Sequence, residues 1–188
     1  MSKKFIAIDF EYNHSKDKAM NVVCVCVREI NDGRSTPYSW WLEDGPIRKS
    51  GFLEQVEEWR KEGYVFIAHA VIAEARSLHS LGYDPRKLKW IDTSLEYRML
   101  INHNKDYSYG KHLMRNGDVR TVRKPKPKWA QTEEDKQKGG RAEASLAGAT
   151  YKMLGINLNT KHKDEMRDLI ISGGPFTTYD MRDILEYC

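Results

Sequence analysis

The chain has 188 residues, of which 40% are hydrophobic and 31% are charged, and its formal net charge is +4. A length within the roughly 100 to 200 residues of a typical domain predicts a single domain, and the composition excludes both an intrinsically disordered chain and a membrane protein. The first residues pass from two lysines directly into a strand-like pattern that is unlike a signal peptide, so we expect a cytoplasmic protein.

Hydrophobic periodicity predicts a mixed α/β sheet of about five strands flanked by helices. Three dense apolar runs precede Pro46, and the turn cluster Asn31-Asp32-Gly33 makes the second and third run a hairpin, so these three strands are expected to be antiparallel. Beyond Pro46 strands alternate with helices, which is typical of βαβ crossovers. The predicted strands are 3–10, 21–30, 36–43, 64–70 and 88–94, and the predicted helices follow Pro46 and cover 71–82, 95–102, 143–155, 162–173 and a last segment starting at Thr177 or Thr178.

A basic segment interrupts this pattern at about 104–142. Between Lys105 and Ala142 the chain has eleven Lys/Arg and five Asp/Glu, which gives a net charge of +6. The rest of the chain therefore has a net charge of −2. A long segment without a sustained period is either a solvated loop or a functional arm. As an arm it would hold the phosphates and bases of a single strand with Arg115, Arg120, Arg123, Lys124, Lys126, Lys128 and Trp129.

Two carboxylates, Asp9 and Glu11, stand two residues apart near the end of the first predicted strand. Residues at this spacing leave the same face of a strand. Adjacent anions are unfavourable unless a cation lies between them, and Mg²⁺ and Mn²⁺ prefer such oxygen ligands. The alternative is that both acids belong to an ordinary strand end without a ligand.

A third acid, Glu74, falls in the first turn of the helix that follows the strand 64–70. It could complete a metal site with Asp9 and Glu11, or simply be an acid stabilised by the helix dipole. Nearby, His69 is expected to make a strand-end hydrogen bond, and Asp92 is expected to cap the helix that starts near Leu95.

The three cysteines are Cys24, Cys26 and Cys188. Cys24 and Cys26 lie one residue apart on a predicted strand and point the same way, which is a poor geometry for a disulfide. We expect reduced core thiols here, with a redox or metal site as the less favoured interpretation.

Four segments, FIAIDFEY, FIAHAVIAEARSL, WIDTSLEYRML and DILEYC, together resemble the DEDD-type 3′-to-5′ exonucleases, tyrosine subclass. This family includes the proofreading domains of family A DNA polymerases and ribonuclease D, and the resemblance implies a ribonuclease-H-like fold. It covers nearly the whole chain except 104–142.

By this resemblance Asp9 and Glu11 match the first motif of the family and Glu74 matches the acid of the second, although Ala70 stands near the position where the family has asparagine. The third motif is a tyrosine followed four residues later by aspartate. Tyr179 with Asp183 satisfies that spacing, whereas Tyr187 lies deeper in the last helix, and its aspartate would then follow Cys188. We favour Tyr187.

The resemblance implies a hydrolase that uses two Mg²⁺ or Mn²⁺ ions bound by Asp9, Glu11 and Glu74, with Tyr187 or Asp183 completing the catalytic set. Its substrate would be the single-stranded 3′ end of DNA, with RNA left open. It would act in DNA replication in a bacterial or phage-infected cell, with a polymerase domain C-terminal to this chain. The alternative is a nucleic-acid-binding module that keeps the same scaffold without a complete metal site.

Overall fold

A computed structural model describes residues 4–14, 19–43, 45–103, 109–113, 119–123, 145–158 and 162–188. The chain forms two compact units, Met1–Thr93 with Leu158–Cys188 and Ser94–Asn157. The single domain expected from the length stays a prediction, as does the arm at 104–142, most of which lies outside the described residues. No helix among the described residues is both long enough and apolar enough to cross a membrane.

The first unit is built on a mixed five-stranded sheet with the strand order β3-β2-β1-β4-β5. Its strands are β1 (Lys4–His14), β2 (Met20–Asn31), β3 (Arg34–Trp41), β4 (Val65–Ala68) and β5 (Trp90–Asp92). β2 is antiparallel to both β1 and β3, while β1, β4 and β5 run parallel. The predicted α/β fold, a mixed sheet of five strands with an antiparallel meander followed by parallel crossovers and flanked by helices, is confirmed.

The helices fall close to their predicted positions. They are α1 (Pro46–Lys61), α2 (Val71–Ser80), α3 (Thr93–His103), α4 (Leu146–Leu154), α5 (Lys163–Ser172) and α6 (Thr178–Tyr187). The second unit contains α4, most of α3 and a hairpin of β6 (Tyr109–Leu113) and β7 (Val119–Arg123). The predicted cap of the last helix is confirmed, because Thr177 forms a reciprocal capping box with Asp180 at the start of α6.

Strand alternation divides the first unit into two apolar layers. Ile8 and Phe10 on β1 are buried with Phe52 and Val56 of α1 on one side of the sheet. The other cluster packs residues of β2 and β3 against α5 and α6; its buried members are Val23, Cys24, Trp41, Ile170 and Ile184. Since successive residues of a strand point to opposite faces, Asp9 and Glu11 project toward α5 and α6.

Asp92 at the end of β5 holds the start of α2. Its two carboxylate oxygens accept hydrogen bonds from the backbone N–H groups of Ala70 and Val71, at 3.3 and 3.0 Å. These N–H groups belong to the first turn of a helix and have no partner within it. Sequence analysis expected Asp92 to serve the helix that follows it and missed this bond to the preceding helix, which depends on β4 and β5 ending side by side.

The residue before α2, Ala70, has a left-handed backbone with φ of 74°. For a residue with a Cβ this conformation costs roughly 1 to 2 kcal/mol. The chain therefore enters α2 through an unfavourable turn, which the two hydrogen bonds that Ala70 and Val71 donate to Asp92 help to maintain.

We predict that Ala70→Gly raises the free energy of unfolding by about 0.5 to 1 kcal/mol, because glycine adopts the left-handed conformation without steric cost. The matched control is Ala75→Gly inside α2, which should lower the free energy of unfolding by a similar amount. Urea denaturation of both variants is the measurement. Equal destabilisation by the two substitutions would contradict the left-handed assignment.

Candidate metal centre

Asp9 and Glu11 leave β1 on the face of the sheet that α5 and α6 cover. They pair across to Cys26 and Cys24 of β2, and the register shifts directly after Glu11. Such a bulge commonly redirects side chains beside a functional site. The spacing of two residues thus places both carboxylates on one face, as strand geometry requires.

Glu74 reaches the same strand from α2. Its side chain is only 4% exposed, and its Oε2 accepts a hydrogen bond from the backbone N–H of Phe10 at 3.0 Å. The pairing of β1 with β4 ends at Ala7 and Ile67, so that edge of β1 continues past its partner strand. A buried N–H group needs an acceptor, and the carboxylate of Glu74 supplies it at the residue between Asp9 and Glu11.

The proximity of these acids changes their proton affinity. Burial, followed by the charge of Asp9, raises the pKa of Glu74 from its usual 4.5 to about 9, although the Phe10 N–H bond opposes the rise. Burial and then Asp9 raise the pKa of Glu11 to about 7. Partial desolvation by the surrounding protein also raises the pKa of Asp9, although the residue keeps exposed surface. The charged form of each acid is therefore less favoured than it is in water, and a bound cation would stabilise it.

Two basic side chains partly offset this repulsion. Lys163, at the start of α5, lowers the pKa of both Asp9 and Glu11, and His69 lowers that of Asp9. His69 also makes the strand-end hydrogen bond expected from the sequence, with its Nδ1 3.1 Å from Oγ1 of Thr93. Neither side chain outweighs the effect of burial, because the pKa values of Asp9 and Glu11 remain raised.

Cys188, at the end of α6, is a member of this site that sequence analysis missed. Its Sγ donates to the carbonyl oxygen of Asp9 at 3.5 Å. Asp9, Glu11 and Cys188 each offer one ligand atom, and these three atoms all lie within 4.8 Å of one another. The one sequence feature that could have pointed to Cys188 as part of this site is its position directly after Tyr187.

Tyr187 lies beside the same acids. It is half-buried, and its pKa is raised first by burial and then by the charges of Glu11 and Asp9. The phenol is therefore neutral at pH 7. It sits close enough to feel both carboxylates, as the preferred third-motif position requires, while its catalytic role stays a prediction.

The competing pair on α6 faces solvent. Tyr179 is 72% exposed, with the guanidinium of Arg182 over its ring, and Asp183 forms an ion pair with Arg182 at 3.2 Å. Within the part of the chain that the structure describes, Asp183 is not a member of the group formed by Asp9, Glu11 and Cys188.

Only two of the basic candidates for nucleic-acid binding lie in the described part of the chain. Arg120 and Arg123 lie on β7. Outside the described residues are the remaining candidates, Arg115, Lys124, Lys126, Lys128 and Trp129. The assignment of these residues to nucleic-acid binding stays a prediction.

The donor set fits an oxygen-preferring divalent cation. Asp9 is open to solvent while Glu11 is partly covered, so an ion could reach them. Glu74 lies on the buried side, fixed by its bond to Phe10, but among the described residues it is not a member of the group formed by Asp9, Glu11 and Cys188. Carboxylates from two elements that approach one another in this way are typical ligands for Mg²⁺ and Mn²⁺.

No protein-family model and no curated protein matches the chain. Among solved structures it is similar to a product-bound structure of exonuclease I, with a TM-score of 0.47 and 9% sequence identity. The match covers 100% of this chain and 46% of exonuclease I, so the chain spans less than half the length of that protein.

The raised pKa of Glu74 predicts that, with divalent ions removed by EDTA, stability falls as pH rises. Below pH 4.5 the carboxyl group is protonated in both states; between there and about 9 the unfolded chain releases a proton that the folded chain retains. The free energy of unfolding should therefore decline across this range in the wild type and decline less in Glu74→Gln. The control Glu54→Gln alters an exposed acid on α1 and should keep the wild-type slope.

Urea denaturation in EDTA at several pH values measures these slopes. Equal slopes for the wild type and Glu74→Gln would show that Glu74 is not held in a site that opposes its ionisation.

Proposed function

We propose that the chain is a metal-dependent nuclease that removes nucleotides from single-stranded 3′ ends of DNA in the 3′-to-5′ direction. The observation that carries the proposal is the hydrogen bond from Phe10 N–H to buried Glu74, which brings a third acid against the strand that holds Asp9 and Glu11. The motif order along the chain supports the direction of hydrolysis through its resemblance to the DEDD-type exonucleases.

In this proposal Asp9, Glu11 and Glu74 bind two Mg²⁺ or Mn²⁺ ions. When bound, such ions lower the pKa of water, giving a nucleophile at neutral pH, and stabilise the oxygen that leaves the phosphate. Each of these acids has a raised pKa, and a bound cation would stabilise its charged form.

The remaining residues of the site position the reactants. Tyr187 keeps its phenolic proton at pH 7, so it can both donate and accept a hydrogen bond and thereby orient a water molecule. Lys163 lies near Asp9 and Glu11, as its effect on their pKa values indicates, and it can neutralise charge on the phosphate under attack.

A single-stranded end suits this arrangement because a base-paired end cannot enter a site between the sheet and its covering helices. The basic arm would supply sequence-independent affinity through phosphate contacts and base stacking on Trp129. A polymerase domain beyond Cys188 and a role in proofreading rest on the family resemblance alone.

We predict that Asp9→Ala lowers the rate of hydrolysis of a 3′-overhang oligonucleotide by at least about a hundredfold, since loss of even an outer partner of a metal ligand costs 10- to 100-fold. Binding of the oligonucleotide should persist, because the arm supplies it. The control Glu54→Ala removes an exposed acid of α1 and should leave the rate unchanged.

Release of mononucleotides in Mg²⁺ or Mn²⁺, followed on end-labelled DNA and RNA, is the measurement. Undiminished hydrolysis by Asp9→Ala would refute the assignment. Tight, salt-dependent binding by the wild type without any hydrolysis would instead favour the binding module.

A further inference from the structure

A thiol stands among the carboxylates of the candidate metal centre. Cys188 Sγ lies within 4.8 Å of the ligand atoms of both Asp9 and Glu11. The thiol donates a hydrogen bond to the carbonyl oxygen of Asp9, which places the end of α6 against β1. A second thiol is close by, because Cys26 is hydrogen-bonded to Leu185 of the same helix.

This donor set has a chemical preference that differs from that of three carboxylates. Mg²⁺ selects oxygen ligands and avoids sulfur, whereas Zn²⁺ accepts a thiolate at about 2.3 Å together with carboxylate oxygens at about 2.0 to 2.2 Å. A tetrahedral shell of those dimensions sets its ligand atoms about 3.5 Å apart. The three donors thus need only small side-chain rotations to enclose one ion.

We propose that Asp9, Glu11 and Cys188 form a mixed carboxylate and thiolate site for a thiophilic divalent cation such as Zn²⁺. On binding, the Cys188 thiol loses its proton to the solvent as the metal–sulfur bond forms, and no electron is transferred. The fourth ligand position remains for water.

Buried Glu74 is an independent observation that points to a cation. The residue is only 4% exposed, and its carboxylate accepts a hydrogen bond from the backbone N–H between Asp9 and Glu11, so a positive charge bound nearby would stabilise its charged form. Glu74 thus supports a bound ion from the buried side, while Cys188 decides which ion is preferred.

The consequence for activity rests on the proposed function. If Asp9 and Glu11 bind Mg²⁺ for hydrolysis, a thiophilic ion that shares these ligands excludes Mg²⁺ and inhibits the enzyme. Zn²⁺ binds most nitrogen, oxygen and sulfur sites more tightly than Mg²⁺ does, so low Zn²⁺ concentrations should suffice for inhibition.

Titration with Co²⁺ tests the site without any substrate, because Co²⁺ bound to a thiolate gives a sulfur-to-metal charge-transfer band in the near ultraviolet that oxygen ligands do not give. The reduced wild-type chain should develop this band and lose it when Zn²⁺ is added. Cys188→Ser should abolish the band and weaken Zn²⁺ binding at least about tenfold, the lower end of what loss of an outer partner costs.

Cys26→Ser is the matched control, since Cys26 lies beside Cys188 but outside the group of three ligand atoms in the part of the chain that is described. It should keep the band. Absence of the band in the wild type, or its survival in Cys188→Ser, would overturn the proposal. Loss of the band in Cys26→Ser alone would likewise overturn the assignment to Cys188.

Failure of this inference can be told apart from failure of the proposed function. Hydrolysis in Mg²⁺ without a Cys188-dependent Co²⁺ band would leave the nuclease proposal standing and refute the thiolate site. A Cys188-dependent band without hydrolysis would support the site and refute the nuclease. Where both are found, Zn²⁺ should inhibit the wild type at a concentration at least about tenfold lower than it inhibits Cys188→Ser.

Discussion

The bond between Glu74 and the N–H of Phe10 is the interaction on which the candidate site depends. It joins residues that are 64 positions apart and satisfies a backbone donor on the edge of β1 past the end of its pairing with β4. Because that donor lies between Asp9 and Glu11, any acceptor placed there enters the field of two carboxylates. A cation can stabilise an acidic acceptor at such a place. The backbone geometry of β1 therefore determines the chemistry of the site.

The start of α2 determines whether Glu74 can make this bond. Ala70 turns the chain through a left-handed conformation, and Asp92 from the neighbouring strand binds the first N–H groups of the helix. The helix therefore begins at a fixed place over the ends of the parallel strands, and its first turn directs Glu74 onto β1. An energetically unfavourable backbone at such a point is typical of functional sites, where the surrounding structure maintains it.

Much of the fold was predictable because it depends on local pattern. The dense apolar run over 3–10 correctly predicted β1, and the helical pattern after Pro46 correctly predicted α1. The hairpin and the crossovers predicted three antiparallel strands followed by two strands joined by helices, and the structure adds the strand order β3-β2-β1-β4-β5. The approach of Glu74 to Asp9 was also predictable in outline, since parallel strands end at the same edge of a sheet.

Other features depended on contacts that no local pattern encodes. Cys188 reaches Asp9 across 179 residues because α6 packs against β2 and β3, whereas the sequence favoured a core thiol over a redox or metal site. The hydrogen bonds that α2 donates to Asp92 were not predictable from local pattern, because they join the end of one strand to the helix that follows its neighbour. Metal selectivity is the property that such distant contacts affect most, because one sulfur ligand changes which cation the three neighbouring donors prefer.

The central claim is that acids from β1 and α2 together hold divalent cations. Counting bound Mn²⁺ by the loss of its free electron paramagnetic resonance signal tests this claim without reference to any substrate. The account predicts saturable Mn²⁺ uptake by the wild-type chain, with uptake strongly weakened in both Glu11→Gln and Glu74→Gln. Uptake that is absent from the wild type, or unchanged when Glu74 is neutralised, would contradict it.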